Sequence, residues 1–393
     1  MTKSLVDPDR FHRPSGTYLL SHSVGLLPAG VADHIDTDYL NVWQHDPADA
    51  WPLWLAAIEA YRTSLSALFN QPPEWFCPQT NVSSGLTKIV HSLPVRAHKP
   101  AILISEHAFP SIGYVLAQTQ RSGRQTKFVP SAADHLDVTT WADHLSADVG
   151  CVVITHVHSN TGQLLPVADI IELARHRNIT TIVDVAQSAG SIPIDLTAWG
   201  ADFVVGSCVK WLCGGPGAGF LWANPAIVEH CEPIDVGWFS HDNPFELDIH
   251  NFRYADDANR FLGGTPSPIA TVAATHSIEL LVATGIDAIR AHNLSLTTRI
   301  IDAIDQLHDH HLVSPRPAEQ RSATIVIDAG DATATLADRL ASAHIHVDRR
   351  SAGFRVSPHL YNTGDDIERF IDVVADTDTR PLTTHHDHNT NHT

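Results

Sequence analysis

Between residues 101 and 223 the chain keeps returning to one kind of segment, a short apolar run rich in valine and isoleucine. The runs are AILIS (101–105), KFVP (127–130), CVVITHV (151–157), TTIVDV (180–185), DFVVGS (202–207) and AGFLWA (218–223). A strand with one wet face alternates polar and apolar residues. These runs are apolar on both faces, so both faces must be covered. Between them, VADIIELARHRN (167–178) and WADHLSAD (141–148) space their apolar residues as helices do. Strands buried on both sides and joined by helices define an α/β fold with a mainly parallel sheet.

The 393 residues exceed one compact core and suit a large domain with a smaller one. After residue 264 the pattern changes. Two long apolar helices are predicted at 267–285 and 286–308. A strand (322–329), a helix (333–343), a strand (344–348) and a closing helix near 365–375 follow. The expected division is an N-terminal segment (1–30), a large domain (31–266), a smaller α+β domain (267–377) and a polar, disordered tail (378–393).

The net charge of −19 opposes binding to nucleic acid or to anionic membranes. A bound phosphate would have to be gripped locally, by backbone N–H groups and hydroxyls. No apolar run approaches the roughly 18 residues of a membrane helix. The opening MTKSLVDPDRFHRP lacks the apolar stretch of a signal peptide. The five cysteines form no CxxC pair and are expected as buried free thiols in a reducing compartment. A cytoplasmic protein is the expectation.

Ligands of an open parallel sheet bind at the carboxyl ends of its strands. Asp184 ends one run, with Gln187 just beyond; it is either a helix cap or a functional charge. Ser207 ends another, followed by Lys210, one of only five lysines in the chain. A lysine beside a buried strand is desolvated, which lowers its pKa and lets the amine attack a carbonyl. The alternative is a lysine that reaches solvent. The GGPGAG that follows lacks the GxGxxG spacing and leads into a strand. Its glycines let the backbone turn closely around the lysine. NVSSGLTKIV (81–90) places hydroxyls and a glycine at a helix start. That suits either a phosphate on free N–H groups or ordinary capping by Ser83 or Ser84. His156 and His158 are expected on one face of a strand. Zinc would need a third ligand at suitable spacing, and none is evident, so no metal is expected. Arg355, in an extended stretch before a loop, is either a carboxylate fork or a surface charge.

A Schiff-base lysine, an aspartate one strand earlier, a phosphate-binding helix start and a carboxylate-binding arginine are the parts a pyridoxal phosphate enzyme needs. DVAQSAG, GSCVKWLCGGPGAGF and RVSPHLYNTGDDI, in that order, resemble the class V aminotransferase group of fold-type I pyridoxal phosphate enzymes. That group includes kynureninases, cysteine desulfurases and isopenicillin N epimerases. The resemblance runs from about residue 17 to about residue 376.

The resemblance implies a Schiff base at Lys210 and a pairing of Asp184 with the pyridinium nitrogen. It puts Gln187 near the phenolic oxygen, and Leu86, Thr87 and Ser207 at the phosphate. EHAFPSIGY and VGWFSH resemble kynureninase, which makes Phe109 the stacking residue and sets Trp238 near the phosphate. Thr265 would act across a homodimer interface. Arg355 would bind the substrate carboxylate, and His22 and Ser23, in a segment resembling the family's substrate-side strand, would touch the substrate together with His158. Trp43, His107 and the stretch WFSHDNPF are further candidates for lining the pocket.

The departures narrow the reaction. HIHVDRRSAGFRVSP is short and has no cysteine, so no persulfide can form there and a desulfurase is excluded. Val209 stands where kynureninases carry tyrosine and many relatives carry histidine. The expected activity is C–S or C–C cleavage of a β-substituted α-amino acid, for instance an S-conjugated cysteine, in secondary metabolism. The alternatives are an aminotransferase or epimerase of the same group, and an inert binding protein that kept the fold.

Overall fold

The computed structural model describes residues 2–378; the tail expected to be disordered lies, from residue 379 onward, outside the described residues. The strands are β1 (Thr17–Tyr18), β2 (Phe76–Gln79), β3 (Ala101–Ser105), β4 (Gln125–Val129), β5 (Val149–Thr155), β6 (Thr180–Asp184), β7 (Phe203–Ser207), β8 (Gly219–Ala223), β9 (His311–Leu312), β10 (Ile325–Asp328), β11 (Ile345–His346), β12 (Asp348–Arg350) and β13 (Gly353–Val356).

Seven of them form one sheet in the order β2-β8-β7-β6-β5-β3-β4. The neighbours from β7 to β4 run parallel, while β8 is antiparallel to both β7 and β2. The inner strands divide their side chains between two cores, while the edge strand β4, expected to be covered on both faces, buries only Val129 and leaves Phe128 exposed. Leu103, Val152, Ile154, Val183, Val204 and Phe220 enter one, beside the helices Ala50–Phe69, Val167–His176 and Pro268–Thr284. Ile102, Ile104, Val153, Ile182, Val205 and Leu221 enter the other, beside Val82–Ser92 and Pro110–Gln118. The period-2 geometry of a strand thus explains why the runs read as continuously apolar.

A third core gathers Leu296, Ile300 and Ile304 from one helix, Ile325 and Ile327 from β10, Phe354 and Val356 from β13, and Ile367, Phe370 and Val374 from the last helix. The four-stranded sheet β12-β13-β10-β9 carries it. Leu19 and Ile345 also belong to this core. The N-terminal segment reaches it because β1 pairs in parallel with β11, and Leu20 bridges Ser357. The segment then passes beneath the lysine loop, where Gly25 N–H donates to the Val209 carbonyl at 2.9 Å. A Cβ at Gly25 would lie 2.2 Å from the Lys210 carbonyl oxygen, so only glycine fits there.

Candidate active site

The carboxyl ends of β3, β5, β6 and β7 lie side by side, and the residues that follow them build the site. Asp184 is the last residue of β6 and is 6 % exposed. Its carboxylate accepts the Ala186 N–H at 2.9 Å. Burial pushes its pKa up; the Ala186 hydrogen bond and the Lys210 charge oppose this without cancelling it.

Lys210 follows β7, half-buried, with its Nζ 5.6 Å from the centre of the Phe109 ring. Burial pushes its amine below the ordinary lysine value, Asp184 resists, and Arg355 adds to the depression. The lysine is therefore desolvated rather than free in solvent. Gln187 is held from two sides. Its Nε2 donates to the His22 carbonyl at 3.1 Å, and its Oε1 accepts the Trp211 indole N–H at 3.1 Å. One amide N–H remains to offer a ligand.

Arg355 lies on β13 and is 4 % exposed. Its Nε and Nη2 donate to Asp348 at 2.7 and 2.5 Å, and its Nη1 donates to the Ser159 carbonyl at 3.2 Å. His22 is buried, with Nδ1 2.7 Å from the Ser357 hydroxyl and Nε2 3.7 Å from Asp348. Burial lowers its pKa, and nearby Arg355 and Lys210 add to that, against the pull of Asp348. Ser23 is exposed and turns the chain, its N–H donating to the Leu20 carbonyl.

Three expectations change. The helix of the NVSSGLTKIV stretch is capped by Asn81, whose side chain accepts the Ser84 N–H at 2.9 Å, while the Ser84 hydroxyl completes a capping box by accepting the Asn81 N–H at 3.3 Å. The helix therefore starts at Val82, and the N–H groups of Leu86 and Thr87 fall inside its own ladder. Leu86 is fully buried in the core, and the Thr87 hydroxyl donates to the Ser83 carbonyl at 2.8 Å. His156 and His158 do not share a strand face, because β5 ends at Thr155. His156 meets the Ser188 hydroxyl at 2.8 Å and packs on Trp199. His158 packs against His107 and His135, each ring centre 5.1 Å away.

His158 is fully buried, with its pKa pushed down to about 3 by burial and by the two neighbouring imidazoles. Its Nε2 has no hydrogen-bond partner. Ser207 ends β7, half-buried. Trp238 and Thr265 form a pair of their own, with the indole N–H 3.3 Å from the Thr265 hydroxyl. Trp238 joins an aromatic cluster through Trp51 that extends by way of Trp54 to Trp43.

Asp348, which pairs with Arg355, is the neighbour that the sequence reasoning missed. In HIHVDRRSAGFRV, Asp348 and Arg355 are equidistant from the pair Ser351–Ala352. A two-residue hairpin turn there places them opposite one another, and the structure pairs them.

The arrangement suits pyridoxal phosphate by the chemistry of its donors. A desolvated amine can take the aldehyde, and a buried carboxylate short of positive partners can take a pyridinium N–H. The spare Gln187 N–H can take the phenolic oxygen, and the Phe109 ring stands beside the lysine.

The comparisons agree. The family model for aminotransferase class-V matches residues 55–370. An uncharacterised aminotransferase, YcbU of Bacillus subtilis, is 26% identical over 325 residues, covering 82% of this chain and 85% of its own. A kynureninase of Deinococcus radiodurans is 27% identical over 319 residues, covering 78% and 76%. Among solved structures, a C-DES mutant with glycine covalently linked to its PLP cofactor superposes with a TM-score of 0.86 at 21% identity, covering 94% of this chain and 99% of that one. A cysteine desulfurase from Thermococcus onnurineus superposes with a TM-score of 0.81 at 19% identity, covering 92% and 94%. The chain belongs to the aminotransferase class-V family and is a pyridoxal phosphate-dependent enzyme of fold type I.

Proposed function

We propose that the enzyme cleaves the bond between the β-carbon of an α-amino acid and its substituent, with an S-conjugated cysteine as the model substrate. The state of the thiols carries this reading. All five cysteines are buried. Burial pushes Cys77, Cys151 and Cys208 up to about 12, Cys231 up to about 11, and Cys213 higher still. Only a thiolate can take sulfur from a substrate, and none is available here. That argues against sulfur transfer to the protein and for a substituent that leaves unaided, as in a lyase.

The relatives' names lend support. Several are kynureninases, and a solved C-DES is described as a cystine C-S lyase in complex with its product cysteine persulfide. An aminotransferase is the second reading, favoured by the name of the YcbU relative.

Asp184 would hold the cofactor's ring nitrogen, Gln187 its phenolic oxygen and Phe109 a ring face, with Ser207 as a phosphate hydroxyl. When bound, the cofactor draws into its ring the electron pair released at the substrate Cα. The chain's own residues do the rest. Arg355 grips the carboxylate and fixes the Cα, while the neutral His22 and His158 border the substrate, Ser23 beside them. Lys210 Nζ, its basicity lowered by burial, accepts the Cα proton. The C–S bond then breaks with both electrons on sulfur, and the carbon product hydrolyses to pyruvate and ammonia. With S-substituted cysteines and no oxo-acid acceptor, pyruvate, ammonia and thiol should appear in equal amounts. Turnover that needs an oxo-acid acceptor would instead establish the aminotransferase.

The reading includes a homodimer, with Thr265 reaching the partner's cofactor. Its support is an apolar surface around Trp238. Ile234, Leu247 and Ile249 are 70, 77 and 91% exposed. Light scattering should give twice the chain mass of 42.9 kDa; a monomer at all working concentrations would refute it. Five unpaired thiols support a reducing, cytoplasmic location.

A further inference from the structure

The strand before the carboxylate fork carries a second charge that faces it. β12 and β13 are joined by the two-residue turn Ser351–Ala352, and Asp348 sits directly across from Arg355. Such a register is rigid, because a slip of one residue would send the two side chains to opposite faces. The pairing is thus a property of the hairpin and not a chance meeting of two long side chains.

The contact is made along one edge of the guanidinium. Asp348 takes Nε and Nη2, and the Ser159 carbonyl takes Nη1. A guanidinium has five N–H groups in one plane. Three are used, so one N–H remains on each Nη nitrogen to meet a ligand. A buried arginine without Asp348 could turn about its last bonds and offer a different edge. His22 blocks the other side of Asp348, with its Nε2 3.7 Å away and its ring anchored on Ser357. Burial alone would raise the Asp348 carboxyl; the His22 ring and the Arg355 guanidinium overturn this and hold it well below the carboxylate range. Asp348 therefore stays charged and attached.

We propose that Asp348 is a positioning residue: it occupies the Nε–Nη2 edge of Arg355 and so aims the free end of the guanidinium at the substrate's α-carboxylate. This rests on the assignment of Arg355 to that carboxylate. Arg350 reaches the same carboxylate, its Nε 3.4 Å from Asp348 Oδ2, so Asp348 fixes the guanidinium while the pair of arginines keeps an excess of positive charge.

The test uses the cofactor-loaded enzyme and two probes, glycine and methylamine, which differ only by the carboxylate, with binding measured by calorimetry. Asp348→Asn should weaken glycine by about tenfold or more, as misplaced binding groups do, and leave methylamine unchanged. Arg355→Ala is the control for the underlying assignment. If it leaves glycine binding intact, Arg355 is not the carboxylate fork and both ideas fall. If it weakens glycine while Asp348→Asn does not, the positioning role alone is overturned. An equal loss for glycine and methylamine in Asp348→Asn would mark a merely structural residue and would also overturn it. Should Asp348→Asn fail to fold, Asp348→Glu keeps the charge but displaces the carboxylate. A loss confined to glycine supports the proposal, and unchanged glycine binding refutes it.

Discussion

Replacing Lys210 with alanine is expected to remove the visible absorption band of the bound cofactor and to lower turnover by about 10⁴-fold, the upper range for loss of a positioned base. Two roles would end together, because in the proposed mechanism the same nitrogen holds the cofactor covalently and receives the Cα proton. The fold should survive. Lys210 is half-buried, its Nζ donates no hydrogen bond among the described residues, and its ring contact is Phe109 at 5.6 Å. Circular dichroism should therefore match the parent protein. Borohydride reduction followed by peptide mapping of the parent should place the modified residue at position 210. A loaded parent enzyme whose peptide at 210 is unmodified would remove the basis for the mechanism.

Asp184→Asn is expected to split stability from function. Burial raises the Asp184 pKa in the folded chain without cofactor. Folding then favours the protonated carboxyl. That contribution is fully present below the unfolded carboxylate value and is lost as pH rises through the higher folded value. At neutral pH the ionised carboxylate is a burden on the apoprotein, one that a protonated ring nitrogen would relieve. The asparagine variant should keep or raise the apoprotein melting temperature at pH 7. The same variant should bind the cofactor less tightly and lose roughly a hundredfold or more in turnover, since a fixed charge facing the reacting system is gone. A variant whose apoprotein is less stable at pH 7 than at pH 4, relative to the parent, would contradict this account.

The parts of the fold visible in the sequence were those whose burial is two-sided. β3, β5, β6 and β7 lie where the valine- and isoleucine-rich runs are, because a strand with two cores needs apolar residues at every position. Direction was not visible. β8 has the same composition as its neighbours yet runs antiparallel to β7, and an apolar run says only that it is buried. β2 was missed because Phe76–Gln79 includes a proline and a glutamine and is only four residues long. In the site, Asp184 could be found because it ends a strand and Lys210 because it closely follows one. Asp348 could not be found in that way, since its importance comes from lying across a hairpin from Arg355. The two-histidine expectation failed for a related reason, because it assumed a strand that in fact stops three residues short of His158.

The pairing of β1 with β11 has a consequence for the order in which the enzyme comes into being. His22 bonds to a serine 335 positions later in the chain. Contacts of such long range form late, because a very large loop must first close. On the ribosome, the lysine and its aspartate emerge well before the arginine hairpin that completes the site. On the assignment of Arg355 to the substrate carboxylate, the nascent chain would carry its cofactor pocket before it could seat an amino acid, and reactivity would be withheld until the chain is whole.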